Sequence, residues 1–176
     1  GTTGGVIKAT CDKDETIKKN GCILKDIDAY DITNSGIHAN NIRCTFKDTT
    51  NTIWLGGDNG ITRYDGISWT SYTSTNMDIG GVYDICEDTY SRLWIATDSG
   101  LLVYDGEDFL HYGTFNSNLP SDWVYSVIAD NDNSTMWVGT YNGVVHITQG
   151  KWVVFTKDNS LLPSNIVYNI FIDSFN

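Results

Sequence analysis

The sequence predicts an all-β fold made of about four repeated, four-stranded antiparallel sheets. Tryptophans recur at intervals of 40 and 43 residues, at Trp54, Trp94 and Trp137. The 176 residues include 17 glycines and only 2 prolines, the balance that many short strands joined by glycine turns produce. One four-stranded unit in about 40 residues is the pattern of a β-propeller.

Further columns of residues keep the same period. They are Gly60, Gly100 and Gly143; Trp69, Phe109 and Trp152; Tyr72, Tyr112 and Phe155; Val82, Val124 and Val167; and Asp88, Asp130 and Asp173. Large rings that recur in step are predicted to fill the wedge between neighbouring twisted sheets. This interpretation gives Trp54, Trp94 and Trp137 a structural role.

Four short strands are predicted in each unit from alternation and turn residues. In the best-formed unit they are Val124–Val127, Met136–Gly139, Val144–Ile147 and Trp152–Phe155. The turn between the third and fourth strands carries Asp65-Gly66 and Asp105-Gly106 in the two preceding units. Asp-Gly favours a two-residue hairpin turn, because both residues tolerate positive φ.

The N-terminal unit is predicted to supply only its third and fourth strands. Gly5-Val6 matches Gly143-Val144, and Tyr30 falls in the aromatic column of Tyr72. The charged residues between Lys8 and Gly21 lengthen this hairpin into a solvated protrusion. Whole sheets are then predicted to start at Ile42, Val82 and Val124, followed by a last inner strand at Ile166–Ile172.

Residues 1–176 are therefore predicted to form one propeller domain or a fragment of one. The repeats cover approximately residues 1–50, 51–90, 91–133 and 134–176. An open arc of sheets exposes edge strands. Either a larger ring supplies the remainder, which is the favoured interpretation, or a second copy closes the ring through the open edges.

Charge and composition exclude several classes of partner and site. The formal net charge of −11 disfavours nucleic acid and anionic membrane surfaces, and no apolar run is long enough to span a bilayer. Three scattered histidines and four cysteines without a C-x-x-C pair predict no metal and no cofactor.

Cys11 and Cys22 flank the protrusion, where a disulfide is possible, whereas Cys44 and Cys86 are predicted to be core thiols.

A ligand site is predicted at one edge of the sheets, which we call the upper edge. The loops that enter each inner strand and the turns between second and third strands meet there. The candidate residues are Asn40, Asp58, Asp98, Asp122, Trp123, Tyr141, Asn142 and Asn165. Trp123 breaks its column, so it is available to stack on a sugar, with nearby Asp and Asn oxygens accepting hydroxyl protons; the alternative is that it packs on a neighbouring sheet.

The other candidate motifs favour structural roles. The Asp and Asn residues of the upper edge are also typical turn formers. Asp130-Asn131-Asp132-Asn133 lacks the spaced Glu of a calcium loop and is predicted to be a turn. No catalytic motif is present, so no catalytic residue is predicted.

The repeated motifs resemble those of two-component regulator propeller repeats. The resemblance rests on Leu93–Thr97, Tyr104–Gly106, Asn118–Ser121, Met136–Thr140 and Leu162–Asn165. It implies a non-catalytic, extracytoplasmic sensing or binding module of a bacterial hybrid two-component system, periplasmic or at the cell surface. A glycan or other small ligand is the expected partner. The alternatives are a protein-interaction scaffold and, less favoured, a propeller lyase or glycosidase.

Overall fold

The computed structural model describes residues 4–12, 23–75, 77, 79–130 and 135–173, which form fourteen β-strands and no helix. The strands are β1 (Val6–Asp12), β2 (Ile23–Tyr30), β3 (Ile42–Lys47), β4 (Ile53–Gly57), β5 (Gly60–Tyr64), β6 (Trp69–Thr73), β7 (Val82–Glu87), β8 (Leu93–Thr97), β9 (Gly100–Tyr104), β10 (Phe109–Tyr112), β11 (Val124–Ala129), β12 (Thr135–Thr140), β13 (Gly143–Thr148) and β14 (Lys151–Phe155). The all-β prediction is confirmed. Nothing in the described part of the chain is a helix long and apolar enough to cross a bilayer.

Three four-stranded antiparallel sheets form the body of the molecule. The first blade is β3–β6, the second β7–β10 and the third β11–β14, and each strand pairs with its neighbours in the chain. The blades begin at Ile42, Val82 and Val124, as the sequence predicts. The repeat boundaries predicted near residues 50, 90 and 133 fall between the first and second strands of each blade, so one sequence repeat contributes to two sheets.

The N-terminal hairpin, β1–β2, supplies the third and fourth strands of a unit. Val6 faces Tyr30 in the same register in which Ile61 faces Tyr72, so the match of the Gly5-Val6 and Tyr30 columns is confirmed. Residues 13–22 and 131–134 lie outside the described residues, as does the side chain of Cys11. The predicted Cys11–Cys22 pair, the protrusion and the Asp130–Asn133 turn therefore stay predictions.

The blades pack side by side through their faces, with the inner strands β3, β7 and β11 in contact in that order. Trp54 is 2% exposed and lies edge-on to Tyr104 of the second blade, with 5.4 Å between ring centroids. Trp94 is 5% exposed and packs with Val127 and Val145 of the third blade. The structural role predicted for Trp54 and Trp94 is confirmed.

Trp137 differs from the other two tryptophans of its column. Its ring is only partly buried and stacks on His146 of the same blade, with 4.1 Å between ring centroids. The face of the third blade is the one that no further blade covers within the described residues. The sequence period therefore assigns Trp137 to the right position but not to the right environment.

The turns between third and fourth strands correct one sequence expectation. Asp65 and Gly66 belong to a four-residue loop rather than a two-residue turn, and only Gly66 has positive φ, at 100°. Asp65 Oδ1 accepts hydrogen bonds from the amides of Ile67 and Ser68, and these bonds lower the pKa of Asp65 to about 2. The two-residue turn occurs instead at Gln149-Gly150, where both φ angles are positive.

The predicted inner strand Ile166–Ile172 forms no strand. The Val167 amide donates to Thr140 O at 3.0 Å, which sets the segment beside the third blade. A β-ladder requires a second chain segment on which backbone groups pair. Among the described residues no strand pairs with segment 166–172, so this segment belongs to none of the sheets that they form.

Cys44 and Cys86 are free thiols that lie partly buried on inner strands. Burial, reinforced by the Asp84 carboxylate, raises the pKa of Cys44 to about 12, and the same two causes raise the pKa of Cys86. Both thiols stay protonated and are therefore poor nucleophiles. Their assignment to the core is confirmed.

Candidate functional site

The upper edge brings together the loops and turns that the sequence assigns to it. The Asp58, Asp98 and Tyr141 amides each donate to the carbonyl of the residue that precedes an inner strand, over 2.9–3.4 Å. The turns between second and third strands therefore lie beside the entry to each inner strand. This arrangement follows from an antiparallel meander, in which alternate connections share one edge.

Three of the predicted site residues hold the loops that contain them. Asn40, Asp122 and Asn165 each accept a hydrogen bond from the backbone amide eight residues earlier in the chain, over 2.7–3.0 Å. Asp122 also accepts from the Thr114 hydroxyl at 3.1 Å. These contacts are structural, and a direct role of the three residues in ligand binding stays a prediction.

Two predicted carboxylates are engaged by groups of the first and second blades. Asp58 pairs with Arg43 and accepts from Asn41 Nδ2 at 2.7 Å. Asp98 Oδ1 accepts from the Gly81 amide at 2.9 Å and from Ser99 Oγ at 3.2 Å. Both carboxylates are thereby fixed in orientation at the upper edge.

Trp123 and Tyr141 lie beside each other at the upper edge, and Trp123 belongs to a larger group of rings. We define the inner-strand aromatic cluster as Tyr83, Trp123, Tyr125, Tyr141 and Tyr168. Centroid distances are 5.6 Å from Tyr83 to Tyr125, 4.9 Å from Tyr125 to Tyr168 and 6.3 Å from Trp123 to Tyr125. Tyr141 is included for its backbone contact with Trp123 and not for a ring contact: its amide donates to Trp123 O at 2.9 Å.

A β-bulge at the start of each inner strand positions two of these rings. The pairing register skips one residue between Val82 and Asp84 and again between Val124 and Ser126, which leaves Tyr83 and Tyr125 at the bulges. A bulge re-aims the side chain that it carries. Tyr83 and Tyr125 therefore meet across the inner edges of two blades.

The cluster presents a wide, partly exposed π surface. Trp123 is 48% exposed, Tyr141 54% and Tyr168 67%. Burial, followed by the neighbouring phenols of Tyr168, Tyr83 and Tyr141, raises the pKa of Tyr125, so its hydroxyl stays protonated at neutral pH. At one end of the cluster the Arg43 guanidinium lies 4.8 Å from the Tyr83 ring centroid.

The sequence interpretation missed Tyr83, Tyr125, Tyr168 and Arg43. A signal was available, because these four residues form a column of their own directly after the column of Ile42, Val82, Val124 and Val167. Tyrosine at three of four positions of a column is a clear repeat. The bulge, which turns this column toward its neighbours, has no sequence signature here.

Asn142 and Asn165 also meet at the upper edge, although through a weaker contact. Asn165 Nδ2 lies 3.3 Å from Asn142 Oδ1, and Asn142 Nδ2 lies 3.5 Å from Pro120 O. The structure thus gathers Trp123, Tyr141, Asn142 and Asn165 near the third blade. Asn40 and Asp58 lie in the loops around the first blade, and Asp98 lies in the second.

Asp84 lies next to the cluster and ties the second blade to the third. Its Oδ2 accepts from the Val127 amide at 3.0 Å and from Ser126 Oγ at 3.1 Å. Burial raises the pKa of Asp84, and the hydrogen bonds that favour its ionised form do not offset that effect. The folded protein therefore binds a proton at Asp84 more readily than the unfolded chain does.

This pKa shift predicts a pH-dependent stability difference between the wild type and Asp84→Asn. A raised folded-state pKa gives stability that is complete below the unfolded pKa and is lost as pH rises through the folded pKa. The free energy of unfolding of the wild type should fall relative to that of Asp84→Asn from about pH 3.9 upward and then level off. Urea denaturation of both proteins at a series of pH values measures the difference, and a difference independent of pH would contradict the prediction.

Comparison with known families identifies the repeats. The sequence profile described as two component regulator propeller matches residues 77–99 and 118–142, which span the inner strand and second strand of the second and third blades. These two segments are similar to two-component regulator propeller repeats. A search of curated protein sequences found no significant match.

Solved structures with similar folds include sensor and enzyme propellers. A protein described as the extracellular domain of a hybrid two-component system, BT3049 of B. thetaiotaomicron, matches 98% of this chain with a TM-score of 0.70 and 23% identity. A streptogramin B lyase matches 80% of this chain and 46% of its own, with a TM-score of 0.59 and 20% identity. PorZ, a surface component of the type-IX secretion system of Porphyromonas gingivalis, matches 78% of this chain and 22% of its own, with a TM-score of 0.53 and 15% identity.

These likenesses establish the propeller fold. This chain spans 25% of the length of the BT3049 domain. The repeats and their neighbours place the chain in an architecture that serves sensing and binding in some proteins and catalysis in others.

Proposed function

We propose that this chain is part of a non-catalytic, extracytoplasmic sensing module that binds an oligosaccharide at the inner-strand aromatic cluster. The observation that carries the proposal is the cluster itself. Contacts between its rings connect the second blade, the third blade and the segment after it, and three of the rings are about half exposed or more. A contiguous patch of exposed apolar surface, such as the one that Trp123 and Tyr168 form with Tyr125, is typical of a binding surface.

A sugar fits this surface chemically. The C–H groups of a sugar ring carry partial positive charge and pack against the negative face of an aromatic ring. The Asp58 and Asp98 carboxylates, held in fixed orientations at the upper edge, are suited to accept hydroxyl protons. The formal charge of −11 makes a neutral ligand a better fit than a polyanion.

The sensing role is supported by the family of the repeats. Two segments of the chain match the profile of two-component regulator propeller repeats, and the structurally similar BT3049 domain is described as extracellular. The non-catalytic part of the proposal is supported by the upper-edge carboxylates. Asp58 pairs with Arg43, and Asp98 and Asp122 each accept a hydrogen bond from a backbone amide. No two of these three carboxylates are therefore free to act together as a general acid and a general base.

Trp123→Ala is expected to weaken sugar binding about tenfold or more, because truncating a central aromatic anchor costs roughly 1.4 kcal/mol or above. A glycan array on the wild-type chain identifies the ligand, and isothermal titration calorimetry measures its affinity for each variant. Tyr90→Ala is the matched control, because Tyr90 is 72% exposed and lies in the turn at the opposite edge of the second blade.

Two results would count against the proposal. One is an array on which no glycan binds while a purified protein raises the melting temperature of the chain. The other is an equal loss of affinity in Trp123→Ala and Tyr90→Ala. Full retention of the circular dichroism spectrum in Trp123→Ala shows that a loss of binding does not reflect unfolding.

A further inference from the structure

The loop that leads into β7 differs from the loops that lead into β3, β11 and segment 166–172. At its last two positions it has Gly80 and Gly81, where each of the other loops has two side chains. Those side chains belong to Asn40 and Asn41, Asp122 and Trp123, and Asn165 and Ile166. The upper edge beside Tyr83 therefore receives no side chain from its own loop, and groups from neighbouring elements lie over it.

Two charged side chains occupy the space over these glycines. A methyl group at Gly81 would lie 2.6 Å from Arg43 Nη1 and 3.0 Å from Asp98 Oδ2. A methyl group at Gly80 would overlap the Asp98 carboxylate. The two glycines thus allow Arg43 of the first blade and Asp98 of the second to approach the loop, and Arg43 Nη1 and Asp98 Oδ2 face the same small space.

Both charged groups are held in place through atoms other than these two. Arg43 pairs with Asp58 through Nη2, and its guanidinium lies 4.8 Å from the Tyr83 ring centroid. Asp98 is held through Oδ1, which accepts from the Gly81 amide at 2.9 Å. Among the described residues, Arg43 Nη1 and Asp98 Oδ2 bond no partner. A donor and an acceptor are therefore fixed side by side with their bonding capacity unused.

Two adjacent hydroxyls of a sugar ring fit this arrangement. A hydroxyl both donates and accepts, so one oxygen accepts from the guanidinium while its neighbour donates to the carboxylate. Hydrogen bonds to charged groups are stronger than those between neutral groups. A carboxylate on the sugar fits less well, because Asp58 and Asp98 outnumber the single cation, Arg43.

The arrangement is continuous with the inner-strand aromatic cluster. Tyr83 contacts the Arg43 guanidinium on one side and lies 6.4 Å from Trp123, measured between ring centroids. The Arg43 side chain is 33% exposed, so its free N–H groups are accessible to a ligand. A sugar chain that stacks on Trp123 therefore has a polar site at the end of the cluster nearest the first blade.

We propose that Arg43 and Asp98 form a subsite that selects neutral sugars by binding two adjacent hydroxyls of one sugar unit. The subsite rests on the proposed function, because it extends the oligosaccharide site of the aromatic cluster toward the first blade. Arg43 supplies the donor, Asp98 supplies the acceptor, and Gly81 leaves the space that the hydroxyls occupy. Asp58 is a positioning residue, because it holds the guanidinium without facing that space.

The first test measures selectivity on an array of oligosaccharides. Oligomers of glucose, galactose and mannose are each paired with the matching oligomer of glucuronate, galacturonate or mannuronate, so that the members of a pair differ only at C6. We expect the wild type to bind a neutral oligomer about tenfold or more tightly than its acidic counterpart. Asp98→Asn should weaken binding of the neutral oligomer about tenfold and reduce this selectivity, because it removes both the acceptor and the repelling charge.

Variants of the other two residues test the same space. Gly81→Ala places a methyl group against the flexible end of Arg43 and meets no backbone atom, so it should displace the guanidinium in a folded protein. It should weaken binding of the neutral oligomer about as much as Arg43→Lys, which loses the planar fork of donors. Asp108→Asn is the matched control, because Asp108 is exposed at the opposite edge of the second blade and its substitution changes the net charge equally. Circular dichroism verifies that each variant is folded.

Deoxy analogues test the pair of hydroxyls. Analogues of the tightest-binding neutral oligomer lack one ring hydroxyl at a time, and isothermal titration calorimetry measures their affinities. Two analogues that lack adjacent hydroxyls should bind the wild type about tenfold more weakly than the parent oligomer. Asp98→Asn should change the affinity for one of these two little, because the hydroxyl that donates to Asp98 is already missing.

The outcomes separate the subsite from the aromatic-cluster site. The subsite is overturned, with binding at the cluster intact, if Trp123→Ala loses affinity while Asp98→Asn and Gly81→Ala bind as the wild type does. It is also overturned if an acidic oligomer binds as tightly as its neutral counterpart, if Asp98→Asn weakens every deoxy analogue equally, or if Asp108→Asn has the same effect as Asp98→Asn. Absence of binding to all the neutral oligomers overturns the subsite as well, whereas the proposed function fails only if no glycan of any class binds.

Discussion

Replacing Trp94 with alanine is expected to lower the free energy of unfolding by about 3–5 kcal/mol, the usual cost of truncating a large buried ring. Trp94 is 5% exposed, and it packs between the second and third blades against Val127 and Val145. Its Nε1–H donates to Asp88 Oδ2 at 2.9 Å, so the substitution also removes a buried hydrogen bond. The cavity lies where two rigid sheets meet, and such sheets relax little to fill it.

Urea denaturation, monitored by the far-ultraviolet circular dichroism of the backbone, measures this loss of stability. Trp123→Ala provides the matched control, because it removes the same side chain from a site that is 48% exposed and should cost less than about 1.5 kcal/mol. Equal losses in the two variants would show that Trp94 does not hold the blades together.

Asp88→Ala is expected to cost about 3 kcal/mol at neutral pH, because it leaves several donors without an acceptor. Asp88 Oδ1 accepts from the amides of Tyr90 and Arg92, and Oδ2 accepts from Trp94 Nε1 and Arg92 Nε. Asp88 is 6% exposed, so water does not replace these contacts readily. Asp48→Ala is the comparison, because Asp48 bonds Trp54 at 2.8 Å in the same way but is less buried and should cost less.

The cost of Asp88→Ala should also depend on pH. Burial opposes ionisation of Asp88, but the hydrogen bonds from Trp94 and Arg92 outweigh it, and the pKa of Asp88 is lowered. A lowered pKa gives stability that is present above the unfolded pKa and is lost as pH falls through the folded pKa. The difference in unfolding free energy between the wild type and Asp88→Ala should therefore shrink below about pH 4. A difference that stays constant down to pH 2 would contradict this account.

The strands and turns were predictable because the residue pattern that specifies each one lies within a short stretch of the chain. The column of Val82 and Val124 marked the start of the inner strands, and the register of Val6 with Tyr30 followed from the same period. The two-residue turn predicted from Asp-Gly was wrong. At Asp65-Gly66 the carboxylate bonds two amides further along, which stabilises a four-residue loop in place of the tighter turn.

The candidate site was predictable only in part. Trp123 and Tyr141 stood out, because Trp123 departs from its column and both residues fall in upper-edge loops. Asp122 and Asn165 were assigned to the same surface, but their oxygens bind the amides of their own loops. Turn chemistry and ligand chemistry use the same residue types, so composition alone does not separate them.

The sequence by itself determined the architecture: the number of sheets, the order of their strands, and the aromatic columns that pack one sheet on the next. The tertiary structure alone decided which surfaces stay open. Tyr83 and Tyr125 meet because a bulge and the angle between two blades bring residues 42 positions apart to within 5.6 Å. Trp137 and Phe155 are only partly buried for a related reason: a repeat specifies a face, whereas the cover of that face depends on a neighbour elsewhere in space.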